Sequence, residues 1–311
     1  ECMPQELKAG VIGVGRLGNI HARVYTGIPH LKLVGACDID PAKAASAASD
    51  YNTNAFTNHK NLISQVDMVS IATPTKTHFE IAKYAILQKK HVLIEKPITD
   101  NLRHARILIR LARRNKVILQ VGHVERFNAA FIATQRLASN PRFIECHRLS
   151  PFPNRSLDIG VVFDLMIHDI DIVLGLVNSK VKRIDAVGVS VLTPFEDIAN
   201  VRLNFKNGCT VNLTASRISD EPLRKIRIFL KDTYISLDYQ AQEAFCYKKE
   251  KTAIVKTLIP IEKDEPIKKE IESFALCVRN GRKPVVSGVE AYEALKLATG
   301  ISKMIRRKTF A

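Results

Sequence analysis

The sequence has few cysteines, and they are scattered along the chain. Its six cysteines include no CxxC pair, the spacing that structural zinc sites and many redox sites share. Secreted domains that depend on disulfides place their cysteines more densely. The pattern therefore argues for reduced thiols and against both a disulfide framework and a bound metal. The first residues show no secretory signal, and we expect a cytoplasmic protein.

Long apolar runs are missing as well, and so are aromatic residues interleaved with basic ones. No run could span a bilayer, so we expect no membrane partner. The net charge of +16 raises the possibility of nucleic-acid binding, but the excess is spread along the chain and lacks aromatics for base stacking. We therefore expect no nucleic-acid partner. The positive charge of the protein should still attract an anionic small substrate. The helically spaced arginines of one basic stripe are typical of a solvated helix face: Arg103, Arg106, Arg110 and Arg113.

A glycine-rich turn near the beginning of the chain points to a nucleotide. The stretch LKAGVIGVGRLGNIHARVY (7–25) reads as a strand, a turn and a helix. Its GxGxxG spacing allows the tight turn, leaves room for a pyrophosphate and lets the helix pack on the strand. Asp38 ends the next strand, where an acid binds the adenine ribose hydroxyls and repels a 2′-phosphate. The predicted cofactor is NAD, and its predicted ligands here are Gly13, Gly15, Arg16, Leu17, Gly18 and Asp38.

The alternation of strands and helices continues to residue 122. The predicted strands are 31–40, 66–72, 90–95 and 116–122, and the predicted helices are 41–50, 76–89 and 101–115. Strands that are apolar throughout are typical of a parallel sheet covered on both faces. We therefore predict an α/β protein in which residues 1–122 form a Rossmann domain. This doubly wound parallel sheet binds its ligand at the carboxyl ends of the strands.

Residues 123–311 have a different pattern and form the second predicted domain. Several β-rich runs lie between 181 and 259, which predicts an α+β domain with a large open, mainly antiparallel sheet. Because a sheet with an uncovered face needs a partner, we expect a homodimer or homotetramer formed through it. The last helix, 289–306, is a candidate to pack back on the first domain. The predicted helices are 158–177, 265–280 and 289–306.

One core-like stretch carries charges that need a reason. VFDLMIHDIDIVLGL (162–176) is mostly apolar, and burying a charge is costly unless it is paired or used. On a helix at about 100° per residue, Asp164, His168 and Asp171 share one narrow stripe. Such a seam either faces a cleft or forms a satisfied buried network that holds two layers together. Asp169 lies off the stripe, and its role stays open.

A lysine lies at the end of one predicted strand of the first domain. LIEKPIT (93–99) places Lys96 over the nucleotide site, and Pro97 restricts the backbone of Lys96 to extended conformations. The lysine is therefore a functional candidate. The alternative is a solvent-facing lysine at an ordinary strand–loop junction.

Together these motifs resemble those of the glucose-fructose oxidoreductase / inositol dehydrogenase / MocA-like family, which oxidises sugars and cyclitols with NAD(P). Besides GxGxxG and Asp38, the resemblance includes ATPTKTH (72–78), EKP (95–97) and DLMIH (164–168). It implies that Lys96, Asp164 and His168 line the substrate hydroxyl that loses hydride. The further cofactor-binding residues that it implies are Thr73, Pro74, His78, Glu95 and Lys96.

A narrower resemblance is to the UDP-N-acetylglucosamine 3-dehydrogenase branch of this family. It implies a nucleotide-sugar substrate oxidised at the 3-hydroxyl to a 3-keto sugar, which feeds a transaminase in lipid A synthesis. The stretches that carry it are VGHVERFN (121–128), PFPNR (151–155), ASRIS (215–219) and RKIRIF (224–229). Arg155 is the first candidate ligand for the diphosphate, because a guanidinium suits phosphate oxygens. Arg217 and Arg224 are reserves.

The expected mechanism gives each polar residue a role at a cleft between the two domains. His168, neutral at pH 7, takes the hydroxyl proton, and Lys96 donates to the same oxygen. Asp164 orients the imidazole or binds a neighbouring hydroxyl, and Asp171 serves the structure. Three alternatives stay open: an inositol or free-sugar dehydrogenase, a non-catalytic NAD-binding regulator, and a metal-dependent hydrolase that uses Asp164 and His168 as ligands.

Overall fold

The structure is a computed structural model that describes residues 6–152 and 158–309. The chain forms two compact units. The first contains the residues up to Val124 together with Glu265–Tyr292, and the second contains Glu125–Asp264 and the residues from Glu293 onward. Within the described ranges, no helix combines the length and the apolar character that a membrane span requires.

Helices and strands alternate in the first part of the chain, and strands dominate the middle. The helices are α1 (Arg16–Thr26), α2 (Pro41–Asp50), α3 (His59–Ile63), α4 (Thr75–Leu87), α5 (Leu102–Asn115), α6 (Ala129–Gln135), α7 (Ile167–Val177), α8 (Pro266–Asn280) and α9 (Gly288–Thr309). The strands are β1 (Leu7–Ile12), β2 (Leu31–Cys37), β3 (Asn54–Phe56), β4 (Met68–Ile71), β5 (His91–Glu95), β6 (Leu119–Gly122), β7 (Phe143–Leu149), β8 (Val181–Val189), β9 (Ile198–Phe205), β10 (Thr210–Ser216), β11 (Leu223–Phe229), β12 (Thr233–Asp238), β13 (Glu243–Glu250) and β14 (Ala253–Leu258).

The sheet of the first unit has the strand order β3-β2-β1-β4-β5-β6, and all its pairs are parallel. This is the order of a dinucleotide-binding doubly wound sheet, so the predicted Rossmann fold is confirmed. Every residue of β4 is buried, as expected for a strand that is covered on both faces. The short strand β3 was not anticipated, because its three residues are mostly exposed and show no apolar run.

Local sequence explains where the helices of the first unit begin. The side chain of Asp40 accepts a hydrogen bond from the backbone N–H of Ala42 at 3.0 Å, and Asn101 accepts one from His104 at 2.9 Å, so each caps a helix. The four arginines of the basic stripe all lie exposed on α5, as predicted for a solvated face. One of them, Arg106, donates to the hydroxyl of Tyr292 at 2.7 Å.

The second unit is built on an eight-stranded sheet in the order β14-β13-β12-β11-β7-β10-β9-β8. Only the pair β7 and β10 is parallel, and the other pairs are antiparallel, so the predicted mainly antiparallel sheet is confirmed. One sheet face and α6, α7 and α9 contribute to a single apolar core. Sequence reasoning missed β7 and β13. In β7, charged residues interrupt the apolar pattern, and β13 ends in an exposed charged run.

The predicted boundary at residue 122 assigned the whole C-terminal part to the second domain, and this requires correction. The helix α8 belongs to the first unit, where Ile271 and Phe274 are completely buried in the core that includes Val24 and Leu31. The helix α9 begins in the first unit and belongs to the second from Glu293 onward, and the expectation that the last helix packs back on the first domain stays a prediction. Apolar periodicity identified both helices but carried no information about which core each one would enter.

We predict that Phe274→Ala lowers the free energy of unfolding by about 3–5 kcal/mol, the usual cost of removing a fully buried aromatic side chain. The matched control is Leu276→Ala on the same helix, whose side chain is 53% exposed and whose loss should change stability by no more than about 0.5 kcal/mol. Urea unfolding of both variants measures the difference. Equal effects of the two substitutions would contradict the assignment of α8 to a core.

Candidate active site

The glycine-rich turn brings the start of α1 against the end of β1. Gly13 has φ of +87°, a left-handed conformation that favours glycine. A Cβ atom at Gly18 would lie 1.7 Å from the Gly13 carbonyl oxygen, whereas one at Gly15 would have no neighbour within 4 Å. Gly18 therefore allows the close packing of helix on strand, and Gly15 leaves open space beside the exposed backbone. Arg16 and Leu17 are exposed in the first turn of α1.

Asp38 lies beside this turn and is held by the backbone. Its Oδ2 accepts a hydrogen bond from the N–H of Val14 at 3.0 Å, and its Oδ1 accepts one from Asp40 at 3.0 Å. The carboxylate is half-buried and keeps lone pairs for further donors. It can therefore accept hydrogen bonds from ribose hydroxyls at the place that the sequence predicted.

The segment after β4 is tied to the turn after β5 by one histidine. The ring nitrogens of His78 lie 3.0 Å from the carbonyl oxygen of Pro97 and 2.8 Å from that of Thr73. Burial lowers the pKa of His78, although both carbonyls oppose that change, and the ring is only 1% exposed. We predicted that His78 binds the cofactor, and this is wrong for its side chain. The buried ring instead connects the loop at Thr73 to the loop at Pro97. Thr73 and Pro74 lie at the N-terminus of α4, where ligand phosphates commonly bind.

Glu95 has a similar supporting place under Lys96. Its Oε1 lies 3.1 Å from Nε2 of His21, which is completely buried, and its Oε2 accepts from the backbone N–H of Lys96 at 3.3 Å. Burial would raise the pKa of Glu95, but the hydrogen bond and charge of His21, with the charge of Lys96, hold it below its ordinary value. Glu95 was predicted to bind the cofactor. Because its carboxylate is engaged inside the unit, we correct its role to supporting Lys96, which is half-buried.

Sequence reasoning missed the rest of this buried polar network. The other ring nitrogen of His21 lies 3.0 Å from the hydroxyl of Ser70, which lies 2.7 Å from the hydroxyl of Tyr25. Burial, and then the negative charge of Glu95, raise the pKa of Glu270 well above its ordinary value. The network joins α1, β4 and β5 beneath the glycine-rich turn. Its only sequence signal was a set of polar residues within apolar strands and helices.

These residues fit an NAD molecule. The open space at Gly15, the exposed first turn of α1 and the accepting carboxylate of Asp38 match a pyrophosphate and an adenine ribose in turn. The structure brings the turn at residues 13–18, Asp38, Thr73 and Lys96 together at the carboxyl ends of parallel strands, where such sheets bind ligands.

The second unit holds the predicted pair Asp164 and His168. We predicted one regular helix over 158–177, but the segment begins with a π-helical turn, Val162–Met166, and α7 follows it directly. The helical wheel drawn at a fixed angle per residue therefore does not apply to the turn that contains Asp164. Asp164 is 7% exposed, and His168 is half-buried. Single π-helical turns are rare and are frequent at functional sites, which makes this segment the candidate site of the second unit.

The remaining aspartates of the stretch form ion pairs. Asp171 pairs with Arg126, which agrees with the structural role that we expected for it. Asp169 receives two hydrogen bonds from Arg148, at 3.0 and 2.9 Å. Burial raises the pKa of Asp169, and the charge and hydrogen bonds of Arg148 oppose that rise. Asp169 and Asp171 therefore belong to a satisfied buried network. Asp164 and His168 stay candidates for the reaction.

Arg217 was proposed as a reserve ligand for the diphosphate, and the structure corrects this. The side chain is completely buried and donates from Nε to Asp197 Oδ1 at 2.8 Å and from Nη1 to the carbonyl oxygen of Ile159 at 2.8 Å. It therefore presents no surface to a ligand and supports the backbone just before the π-helical turn. Arg224 is exposed on β11. Arg155, the first candidate, lies outside the described residues.

The described residues contain no cluster of side chains that could bind a metal ion. Between residues 6 and 152 and between 158 and 309, no three His, Cys, Asp or Glu side chains are grouped so that they could hold a metal ion. The five cysteines in these ranges are all free thiols.

The parallel sheet, the glycine-rich turn and Asp38 define the class of protein, a dinucleotide-dependent oxidoreductase with a second, β-rich unit. Comparison with known families agrees. Residues 7–123 match the oxidoreductase family with an NAD-binding Rossmann fold, and residues 121–235 match the GFO/IDH/MocA C-terminal domain. The chain belongs to the Gfo/Idh/MocA family of NAD-binding oxidoreductases. The predicted family, the predicted enzyme class and the predicted cofactor are confirmed.

Relatives in this family differ in substrate. The UDP-N-acetylglucosamine 3-dehydrogenase of Acidithiobacillus ferrooxidans is 36% identical over 94% of this chain and 95% of the relative. Its solved structure aligns with a TM-score of 0.92, covering 96% of this chain and 97% of the other. The scyllo-inositol 2-dehydrogenase (NAD(+)) of Bacillus subtilis is 26% identical over 96% of this chain and 94% of the relative.

We predict that the protein binds NAD⁺ more tightly than NADP⁺, because a 2′-phosphate would meet the carboxylate of Asp38. Asp38→Ser should narrow the ratio of the two dissociation constants by about tenfold or more. Asp38→Asn is the matched control, since it removes the charge while keeping the size and one acceptor oxygen. Titration of NAD⁺ and NADP⁺ binding to the three proteins measures all six dissociation constants. A wild-type protein that prefers NADP⁺ would contradict this role of Asp38.

Proposed function

We propose that the protein oxidises the 3-hydroxyl of a UDP-linked N-acetylhexosamine, UDP-N-acetylglucosamine first, to a 3-keto sugar with NAD⁺. The observation that carries this proposal is the 36% identity to a UDP-N-acetylglucosamine 3-dehydrogenase over nearly the full length of both chains. The second candidate is oxidation of an inositol or a free sugar, which the 26% identity to an inositol dehydrogenase favours less. A 3-keto nucleotide sugar suits a following transamination, so we place the reaction in the supply of lipid A precursors.

Oxidation of a secondary alcohol removes a hydride from carbon and a proton from oxygen. When bound, NAD⁺ supplies the hydride acceptor. In our proposal Lys96 donates a hydrogen bond from its ammonium group to the hydroxyl oxygen and stabilises the negative charge that develops there. The imidazole of His168, in its neutral form, takes the hydroxyl proton as the carbonyl forms. Asp164 orients the imidazole or binds a neighbouring hydroxyl.

The chain around these residues suits such roles. Glu95 holds the backbone N–H of Lys96 at 3.3 Å and is itself held by His21, so Lys96 extends from a fixed strand end. Asp169 and Asp171, close to His168 on the same helix, are each held in place by an ion pair with an arginine. Arg155, which precedes the π-helical turn in sequence, stays our proposed ligand for the diphosphate, on the chemistry of its guanidinium alone.

The outer face of the second unit's sheet supports the proposal of a homodimer or homotetramer. Four aromatic rings from adjacent strands form a row there, with centroid distances of 5.4, 4.8 and 4.6 Å. The rings belong to Phe143, Phe229, Tyr234 and Tyr247. The alternate residues Ile144, Ile228 and Ile235 are completely buried in the core, so the rings lie on the opposite face. Aromatic residues are enriched at protein interfaces.

We predict that Lys96→Met and His168→Ala each lower kcat by about 10²- to 10⁴-fold, the usual contribution of a positioned proton-transfer group. Folding should survive in both variants, because neither residue is fully buried. Lys32→Met, at an exposed position of the first unit, and His59→Ala, at a half-buried one, are controls of matched chemistry and should retain activity. Near-normal turnover of His168→Ala at neutral pH would require another base and would end this mechanism.

We predict that the wild-type enzyme reduces NAD⁺ with UDP-N-acetylglucosamine and uses free N-acetylglucosamine and inositols far less efficiently. The absorbance of the reduced nicotinamide reports the rate for each compound. If Arg155 binds the diphosphate, Arg155→Ala should lower kcat/KM for the nucleotide sugar by the equivalent of about 1.5–3 kcal/mol of transition-state binding. The kcat/KM for the free sugar should not change. Equal use of free and UDP-linked sugar by the wild type would refute the substrate proposal and favour the second candidate.

We predict that the wild type is a dimer or tetramer by light scattering and that Tyr234→Glu shifts it toward the monomer, because a charge would be buried in the interface. Leu87→Glu is the control, since Leu87 is 49% exposed on the first unit and lies outside the sheet. A wild type that is monomeric at micromolar concentration would contradict assembly through this face.

A further inference from the structure

Two arginines from outside α7 hold this helix in the second unit. The first is Arg126, which donates from Nε to Asp171 Oδ2 at 2.6 Å and from Nη2 to Asp171 Oδ1 at 3.2 Å. The same Nη2 donates to the backbone carbonyl of Asp171 at 2.8 Å. One guanidinium therefore holds both the side chain and the backbone of α7. Planar, two-point contacts of this kind restrict orientation as well as distance.

The surface of α7 is shaped to admit that guanidinium. A Cβ atom at Gly175, one turn after Asp171, would lie 2.3 Å from Nη1 and 2.5 Å from Nη2 of Arg126. Glycine is a poor helix former, and α7 carries one at the position where the arginine lies against its backbone. The absence of a side chain at Gly175 is therefore a requirement of the Arg126 contact.

The second arginine is Arg148 on β7. It donates to both carboxylate oxygens of Asp169, from Nε at 3.0 Å and from Nη2 at 2.9 Å, and from Nη1 to Glu125 at 2.8 Å. The three side chains are 4%, 5% and 10% exposed. Arg148 thus connects α7 to the residue that precedes Arg126 in sequence.

Stability alone is a weak reason for such pairs. Buried ion pairs can often be replaced by apolar residues of similar size without loss of stability, because desolvation offsets their attraction. Their best-supported use is to select one geometry among several. Both anchored aspartates lie within three residues of His168, and Asp169 is its direct neighbour in sequence.

We propose that Arg126 and Arg148 are positioning residues for His168. By holding α7 at Asp169, Asp171 and Gly175, they fix the rotation of the helix about its axis and therefore the direction of the imidazole. This inference rests on the proposed function, in which His168 takes the substrate proton. A misplacement of about 1 Å at a reacting group can cost about 10²-fold in rate, so loss of an anchor should lower kcat while ground-state binding changes little.

The first test displaces Arg126 without removing a charge. Gly175→Ala places a methyl group where the guanidinium lies, and Gly300→Ala is the matched control, because a Cβ atom at Gly300 on α9 has no neighbour within 4 Å. We expect Gly175→Ala to lower kcat by about 10- to 100-fold, with the KM for UDP-N-acetylglucosamine and the Kd for NAD⁺ changed by less than about threefold. Gly300→Ala should match the wild type. Unchanged kcat in Gly175→Ala would overturn the proposal.

The second test separates positioning from stability. The double variant Arg126→Met/Asp171→Leu removes both charges of this pair together, so neither is left without the other. We expect it to unfold within a few degrees of the wild type and yet to lose about tenfold or more in kcat. A double variant that is folded and fully active would show that the pair serves stability alone and would overturn the proposal for Arg126. If the double variant does not fold, the comparison of Gly175→Ala with Gly300→Ala decides.

A third readout does not need turnover. The ring-proton resonance of His168, assigned through a His168→Asn variant of histidine-labelled protein, should move in Gly175→Ala and stay in place in Gly300→Ala. A resonance that is the same in all of these proteins would overturn the proposal even if the true substrate were another sugar. An inactive wild type with a shifted resonance in Gly175→Ala would instead refute the proposed function and support the positioning of His168.

Discussion

Burial of charge is the constraint on which both units depend. Lys96 and His168 each have a buried carboxylate as their direct neighbour in sequence, and each carboxylate is paired. Glu95 precedes Lys96 and is held by His21 in the first unit, and Asp169 follows His168 and is held by Arg148 in the second. Since an unpaired buried charge is costly, each pair must form when its unit folds. The neighbouring lysine and histidine then extend from backbone that has little freedom to move.

The same units use glycine where backbone must be approached closely. At Gly18 the helix α1 meets the carbonyl oxygen of Gly13, and at Gly175 the helix α7 meets the guanidinium of Arg126. In the first case the contact sets the nucleotide turn beside Asp38. In the second it gives an arginine access to a helix backbone. In both cases a larger residue would occupy space that another group already fills.

Sequence reasoning predicted the features that depend on local pattern and failed where tertiary contacts decide. The parallel sheet followed from strands that are apolar throughout, and the nucleotide turn followed from three glycines and Asp38. The π-helical turn at Val162–Met166 was missed, because no local preference distinguishes it from an ordinary helix. The charges of β7 concealed a strand, since Arg148 is buried only by virtue of its partners Asp169 and Glu125.

The errors at single site residues have the same origin. His78 and Arg217 belong to motifs near the nucleotide turn and the π-helical turn, and motif position suggested that they contact ligands. Their hydrogen bonds to backbone carbonyls at Pro97 and Ile159 show that they hold loops instead. A motif therefore identified the neighbourhood of a site, while burial and hydrogen bonding separated supporting residues from those free to meet a ligand.

In the proposed reaction, hydride leaves carbon 3 of a UDP-linked N-acetylhexosamine and NAD⁺ receives it. The most direct test is to incubate the enzyme with NAD⁺ and UDP-N-acetylglucosamine that carries deuterium at carbon 3, and to locate the label by mass spectrometry. We expect deuterium in the reduced nicotinamide and a 3-keto sugar that has lost it. Formation of reduced cofactor without the label, with deuterium retained in the sugar, would contradict the account.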